Sequence, residues 1–209
     1  MRPPTNSDSS RGIGRGLLRW GTCRRCAGAA ALVCSLLASS LAADKARPGE
    51  YEVKAAYLLN FGKFLSWPSP APGGAAATSF PICVLGQDPF GPVLETTFAG
   101  EQIGGVDVVA RRLRKAQDAA GCRILFISAT EDTRLSSILQ TLGAAPVLTV
   151  SDMPDFALRG GIIQFVLEQD RVRFSVNLAA AENAGLTLSS QLLKVASSIR
   201  REALIRNRH

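Results

Sequence analysis

Histidine is almost missing from this chain: one residue in 209, and that one is His209 at the terminus. Its scarcity excludes Ser-His-Asp triads, Cys-His dyads, imidazole acid–base work and the common zinc sites together. Carboxylates are thinly clustered. The close groups are Asp152 with Asp155, Glu131 with Asp132, and Glu168 with Asp170. The last pair flanks an expected hairpin turn, and either acid of SDMPD suits a helix N-cap. Phosphate-cradling motifs are absent too, with no GxGxxG after a strand and no GxxxxGK[ST]. LGQDPFG and Gly160-Gly161 match such loops in composition only, and Asp88 lacks the carboxylate company of a phosphoacceptor. Ser190 and Lys194 stand one helical turn apart, as a Ser/Lys dyad would. On an amphipathic helix that spacing is ordinary, and a structural role is preferred.

A long apolar run is lacking as well. The longest, AGAAALVCSLLASSLAA from Ala27 to Ala43, falls short of the ~20 residues of a favourable membrane helix. It follows Arg11, Arg15, Arg19, Arg24 and Arg25 and ends in the small-x-small triplet Ser40-Leu41-Ala42. Basic start, short apolar middle and small-residue end predict a secretory signal peptide, cleaved after Ala42 or Ala43. The expected organisation is therefore a signal peptide over residues 1–42 and one α/β domain over residues 43–209.

Export changes the meaning of charge and cysteine. The whole chain carries +7. Six of its 24 basic and one of its 17 acidic residues precede Ala43, which leaves +2 for the rest. No nucleic-acid footprint is left. Cys23, Cys26 and Cys34 also fall within the leader, so Cys83 and Cys122 remain. An even pair in an oxidising compartment reads first as a disulfide. A redox-active Cys83 is the competing reading, and it needs an accessible thiol of lowered pKa.

Hydrophobic periodicity supplies the fold. Residues 51–67 read as an amphipathic helix presenting Val53, Tyr57, Phe61, Phe64 and Leu65. Pro68 ends it, and PSPAPGGAAATS reads as a connector. Strands are expected at FPICVLG, VDVVARRL, CRILFIS and PVLTVS, with helical segments over 90–98, 114–121 and 131–143. SDMPDFALRGG reads as a turn with a short helix. IIQFVLEQDRVRFSVN alternates as a hairpin, placing Val172, Phe174 and Val176 inward and Arg171, Arg173 and Ser175 outward. NLAAAENAG is a short helix, and the chain from Leu186 onward reads as a terminal helix striped by Leu192, Leu193, Val195, Ala196 and Ile199. The fold class expected is α/β: a three-layer mixed sheet, parallel in its first part, with a C-terminal antiparallel hairpin.

Several stretches in order resemble the YfiR family of periplasmic proteins: VKAAYLLNFGKFLSWP, FPICVLGQDPFG, GCRILFIS, PVLTVSDMPDFALRGGIIQFV and RVRFSVNLAAAENAGLTLSSQLLKVA. The resemblance runs from about residue 50 to 197. It implies a periplasmic, dimer-forming protein without catalytic activity. Such a protein represses an inner-membrane diguanylate cyclase by binding its periplasmic sensor region, and release raises cyclic di-GMP and favours biofilm growth. Cys83 and Cys122 match the family's pattern of one cysteine in the first strand and one at the start of the third. The second pair that some members carry is missing, which leaves a two-bridge redox switch without its second bridge.

Alternation places Gln164, Arg173 and Ser175 on an outward face of the last strands, the expected partner-binding surface. The alternative function is a periplasmic small-molecule binding module. Its cleft would be lined by Asp88 and Asp152 at strand ends, where open α/β sheets bind ligands. No metal and no cofactor are expected.

Overall fold

A computed structural model describes residues 49–68 and 78–201. The expected signal peptide lies outside the described residues, and so do most of the connector after Pro68 and of the basic tail. The chain starts with helix α1 (Glu50–Phe64) and a short strand β1 (Leu65–Ser66). Then come β2 (Ser79–Leu85), α2 (Val93–Phe98), β3 (Gln102–Ile103) and β4 (Val106–Leu113). A 3-10 turn (Ala116–Gly121) leads to β5 (Ile124–Ile127), and a second (Ala129–Arg134) runs into α3 (Leu135–Leu142). The remainder is β6 (Leu148–Ser151), β7 (Ile163–Glu168), β8 (Arg171–Asn177), α4 (Leu178–Asn183), β9 (Thr187–Leu188), α5 (Ser190–Val195) and β10 (Ser198–Arg200).

Eight strands form one mixed sheet in the order β10-β8-β7-β6-β5-β2-β4-β3. From β4 through β7 the neighbours are parallel, whereas β7–β8 and β3–β4 are antiparallel. The side-chain period of two splits the central strands between two cores. Ile82, Val84, Ile124, Phe126, Leu148 and Val150 pack towards α1. Cys83, Leu85, Leu125 and Ile127 pack on the other side with Leu135 and Ile138 of α3. Apolar residues on both faces explain why these strands read as near-continuous apolar runs. The three-layer α/β architecture with its C-terminal hairpin is the one expected. Gln169 and Asp170 turn that hairpin with φ of 51° and 58°, the left-handed pair of a two-residue loop matched to strand twist.

Local expectations fail at the end of α1, in SDMPDFALRGG and in the terminal segment. α1 stops at Phe64 because β1 pairs with β9, Leu65 opposite Leu188, and Ser189 N–H donates to the Phe64 carbonyl. Of the expected stripe, Phe61 and Leu65 are buried and Tyr57 packs against the core, whereas Phe64 is exposed; Lys54, Ala55, Leu58, Leu59 and Gly62 complete the buried face. SDMPDFALRGG makes turns instead of a helix, with Asp155 at φ 56°. The terminal helix is cut at Val195. There Ala196 turns extended, and Ser197 binds the Phe174 carbonyl through both backbone N–H and hydroxyl. β10 then pairs parallel with β8, Ile199 opposite Val176. An open strand edge next to the chain outweighs the helical spacing of its apolar residues.

Candidate functional sites

Both expected ligand-lining acids stand beyond the carboxyl ends of parallel strands, Asp88 after β2 and Asp152 after β6. Each is already engaged by a cation. Asp88 accepts the Phe90 N–H at 2.8 Å as a local turn and the Arg112 Nε–H at 2.9 Å. Arg112 also forks onto Glu95 and donates to the Gly91 carbonyl, so it fastens the β2–α2 loop to β4. Hydrogen bonding from Arg112 holds the Glu95 carboxyl below its ordinary pKa, and Glu95 in turn raises that of the guanidinium.

Asp152 lies in a more enclosed network. Lys54 Nζ, 3 % exposed as a residue, approaches Asp152 Oδ2 and Glu50 Oε1 at 2.6 Å each. It also sits 4.3 Å from the Tyr51 ring centroid. Tyr51 donates its hydroxyl to the same Asp152 oxygen at 3.0 Å. Burial first, and then the Asp152 charge, push the Tyr51 phenol up to about 12. The Tyr51 and Phe90 rings meet edge to face at 5.2 Å and so join the two acid networks. Lys54 and Arg112 are absent from the residues singled out by sequence. Lys54 had a readable signal, because it shares a helical face at i, i+4, i+7 with Leu58 and Phe61.

The first parallel strand ends in the Gly86-Gln87-Asp88 turn. Gly86 has φ 91°, and a Cβ there would meet Thr130 Oγ1 and Glu131 Cγ at 2.8 Å. Gln87 N–H donates to that threonine hydroxyl at 3.1 Å. This glycine serves close packing between the β2 and β5 loops. Gly161 has a similar part, for a Cβ on it would run into the buried Phe156 ring.

Cys83 and Cys122 form a disulfide with Cα atoms 6.0 Å apart, inside the usual 4.4–6.8 Å range. β2 and β5 are adjacent, which brings Cys83 beside the residue that leads into β5. Both cysteines are buried, at 0 % and 3 % exposure. An accessible Cys83 thiolate is therefore not what this structure holds, and the redox-active reading is corrected to a buried cystine.

Gln164, Arg173 and Ser175 come together on one face of the β7–β8 hairpin. Gln164 lies directly opposite Ser175, and Val166 opposite Arg173. Gln164 is partly committed, since its Oε1 accepts the Ala157 N–H at 3.2 Å. Arg173 is exposed. Among the described residues no group of three His, Cys, Asp or Glu stands ready to hold a metal, and no helix is long and apolar enough to cross a membrane.

Fold and sites together define a three-layer α/β domain stapled by one buried cystine, with its strand-end acids tied up in ion pairs. The chain belongs to the YfiR/HmsC-like family, whose profile matches residues 51–197. No curated protein matches it. Among solved structures, it is similar to a conserved domain protein from Vibrio cholerae O1 biovar El Tor at 14 % identity and a TM-score of 0.45, covering 57 % of this chain and 54 % of that one. It is also similar to an ABC domain in complex with L-Trp from Streptococcus pneumoniae. That match has 12 % identity and a TM-score of 0.46, and covers 69 % of this chain and 60 % of that one. The chain thus spans little more than half the length of either structure.

Proposed function

We propose that this chain is a non-enzymatic periplasmic regulator that represses an inner-membrane diguanylate cyclase by binding its periplasmic sensor region. The observation that carries this reading is the YfiR/HmsC-like match over residues 51–197, which takes in nearly all of the described domain. A buried cystine agrees with an oxidising compartment. The acids nearest the strand ends, Asp88 and Asp152, are spent on Arg112 and Lys54, which favours binding over chemistry. Docking uses the outward face of β7 and β8, where Gln164, Arg173 and Ser175 lie side by side. The working form is a homodimer. Deleting the gene raises cyclic di-GMP, and a membrane-anchored cyclase co-purifies with the tagged protein. Unchanged cyclic di-GMP in the deletion strain, with no cyclase recovered, overturns the proposal.

A further inference from the structure

A cavity of about 460 Å³ opens at the amino ends of β2, β4 and β5, the opposite edge of the sheet from Asp88 and Asp152. Its walls include Leu65, Trp67, Phe80, Ile103 and Val106, and Arg123 is its one charged residue among those described. The volume lies within the roughly 300–1,000 Å³ of small-molecule sites, which are mostly apolar with a few placed polar groups. Trp67 stands edge-on to Phe80 at 5.2 Å, and its indole N–H is buried without an acceptor. Arg123 is half-buried. Its backbone is used by the sheet: the N–H donates to the Pro81 carbonyl, and the C=O accepts from the Leu148 N–H. Its guanidinium has neither an ion pair nor a hydrogen bond among the described residues. Arginine at the rim of an apolar hollow is the side chain that recognises a planar carboxylate with two parallel hydrogen bonds.

We infer that this cavity binds a small apolar carboxylate. The carboxylate forks onto Arg123, and the hydrocarbon lies against Trp67, Phe80, Ile103 and Val106. A polyanion such as a nucleotide is disfavoured, because Arg123 is the one charged residue in a lining that is otherwise largely apolar. The inference does not depend on the cyclase-binding reading.

The test uses the full chain carrying Trp20→Phe, so that emission reports Trp67 alone of the two tryptophans. Octanoate and its neutral counterpart octanol are titrated into this protein and into versions with Arg123→Gln or Val106→Phe. Calorimetry of the same titrations decides where the emission is silent. Octanoate is expected to saturate. Octanol, and octanoate on Arg123→Gln, should bind at least tenfold more weakly, and Val106→Phe should reduce binding of both. Absence of saturable octanoate binding overturns the inference. So does equal affinity for octanoate and octanol, or undiminished octanoate binding by an Arg123→Gln protein that melts like the parent. If Arg123→Gln does not fold, the octanoate-to-octanol affinity ratio on the parent protein decides: tenfold or more supports the inference, and parity overturns it.

Discussion

Removing the Cys83–Cys122 bridge tests how this domain is held together. The two residues are 39 apart in sequence, so the crosslink closes a loop of about that length in the unfolded chain. Chain-entropy reasoning assigns such a loop about 4 kcal/mol, a large share of the roughly 5–15 kcal/mol that usually separates folded from unfolded domains. With a urea slope near 2 kcal/mol/M, reduction should lower the midpoint by about 2 M. Cys83→Ala with Cys122→Ala should lose slightly more, since each truncation also leaves a small void in the core around Leu125 and Ala119. Urea melts of oxidised, reduced and doubly substituted protein, followed by far-UV circular dichroism, give the comparison. Burial at 0 % and 3 % adds a kinetic expectation: mild reductant should open the bridge only as fast as the domain itself opens. Oxidised and reduced midpoints agreeing within about 0.5 M would refute the entropic account, and rapid reduction of native protein would refute the burial.

Other substitutions probe the remaining networks. Asp152→Asn leaves the buried Lys54 ammonium with only the half-exposed Glu50, and should cost about 3 kcal/mol in the same urea assay. A loss under about 1 kcal/mol would mean that the pair is not what holds α1 to the end of β6. Tyr51 carries a pH signature. Its phenol rises from 10.0 to about 12 on folding, so the folded state holds the proton more tightly. That stability is whole below pH 10 and is lost as pH climbs from 10 through about 12. It amounts to about 1–2 kcal/mol once solvent screening is allowed for. Tyr57→Phe protein followed by phenolate absorbance near 295 nm should show the late titration, and Asp152→Asn should bring it earlier. Gly161→Ala should destabilise by about 2–3 kcal/mol, because the Phe156 ring it meets has no room to retreat; a neutral result would place that ring elsewhere. Under the proposed function, Arg173→Glu should raise cyclic di-GMP as the gene deletion does, without moving the melting temperature, whereas unchanged cyclic di-GMP would remove the β7–β8 face from the proposed interface.

Legibility follows the range of the interactions. Strand runs such as CRILFIS and the alternating hairpin are readable because burial on two faces, or on one, imprints a pattern within a single element. Cys83 and Cys122 are readable as a pair once Cys23, Cys26 and Cys34 are assigned to the expected leader. Lys54 is half-readable, a cation on an apolar helical face, yet nothing local tells that its partner lies 98 residues away at Asp152. The Val195–Ile199 stripe misleads, since its helical spacing is genuine and the competing β8 edge is remote in sequence. Gly160-Gly161 matches a phosphate loop in composition only, and the packing reason for Gly161 is one that only the Phe156 ring discloses.

Sequence by itself determined the class of fold, the hairpin, the candidate cystine and the resemblance to the family. All of these rest on periodicity, composition or motif order, properties written along one stretch of chain. Tertiary structure alone decided that β2 sits between β4 and β5, that the last segment pairs as a strand, and that Asp88 and Asp152 are spent on Arg112 and Lys54. It alone hollowed the cavity beside Arg123. Each of those outcomes depends on which distant backbone or side chain arrives as a neighbour, and neighbours are set by the packing of the whole domain.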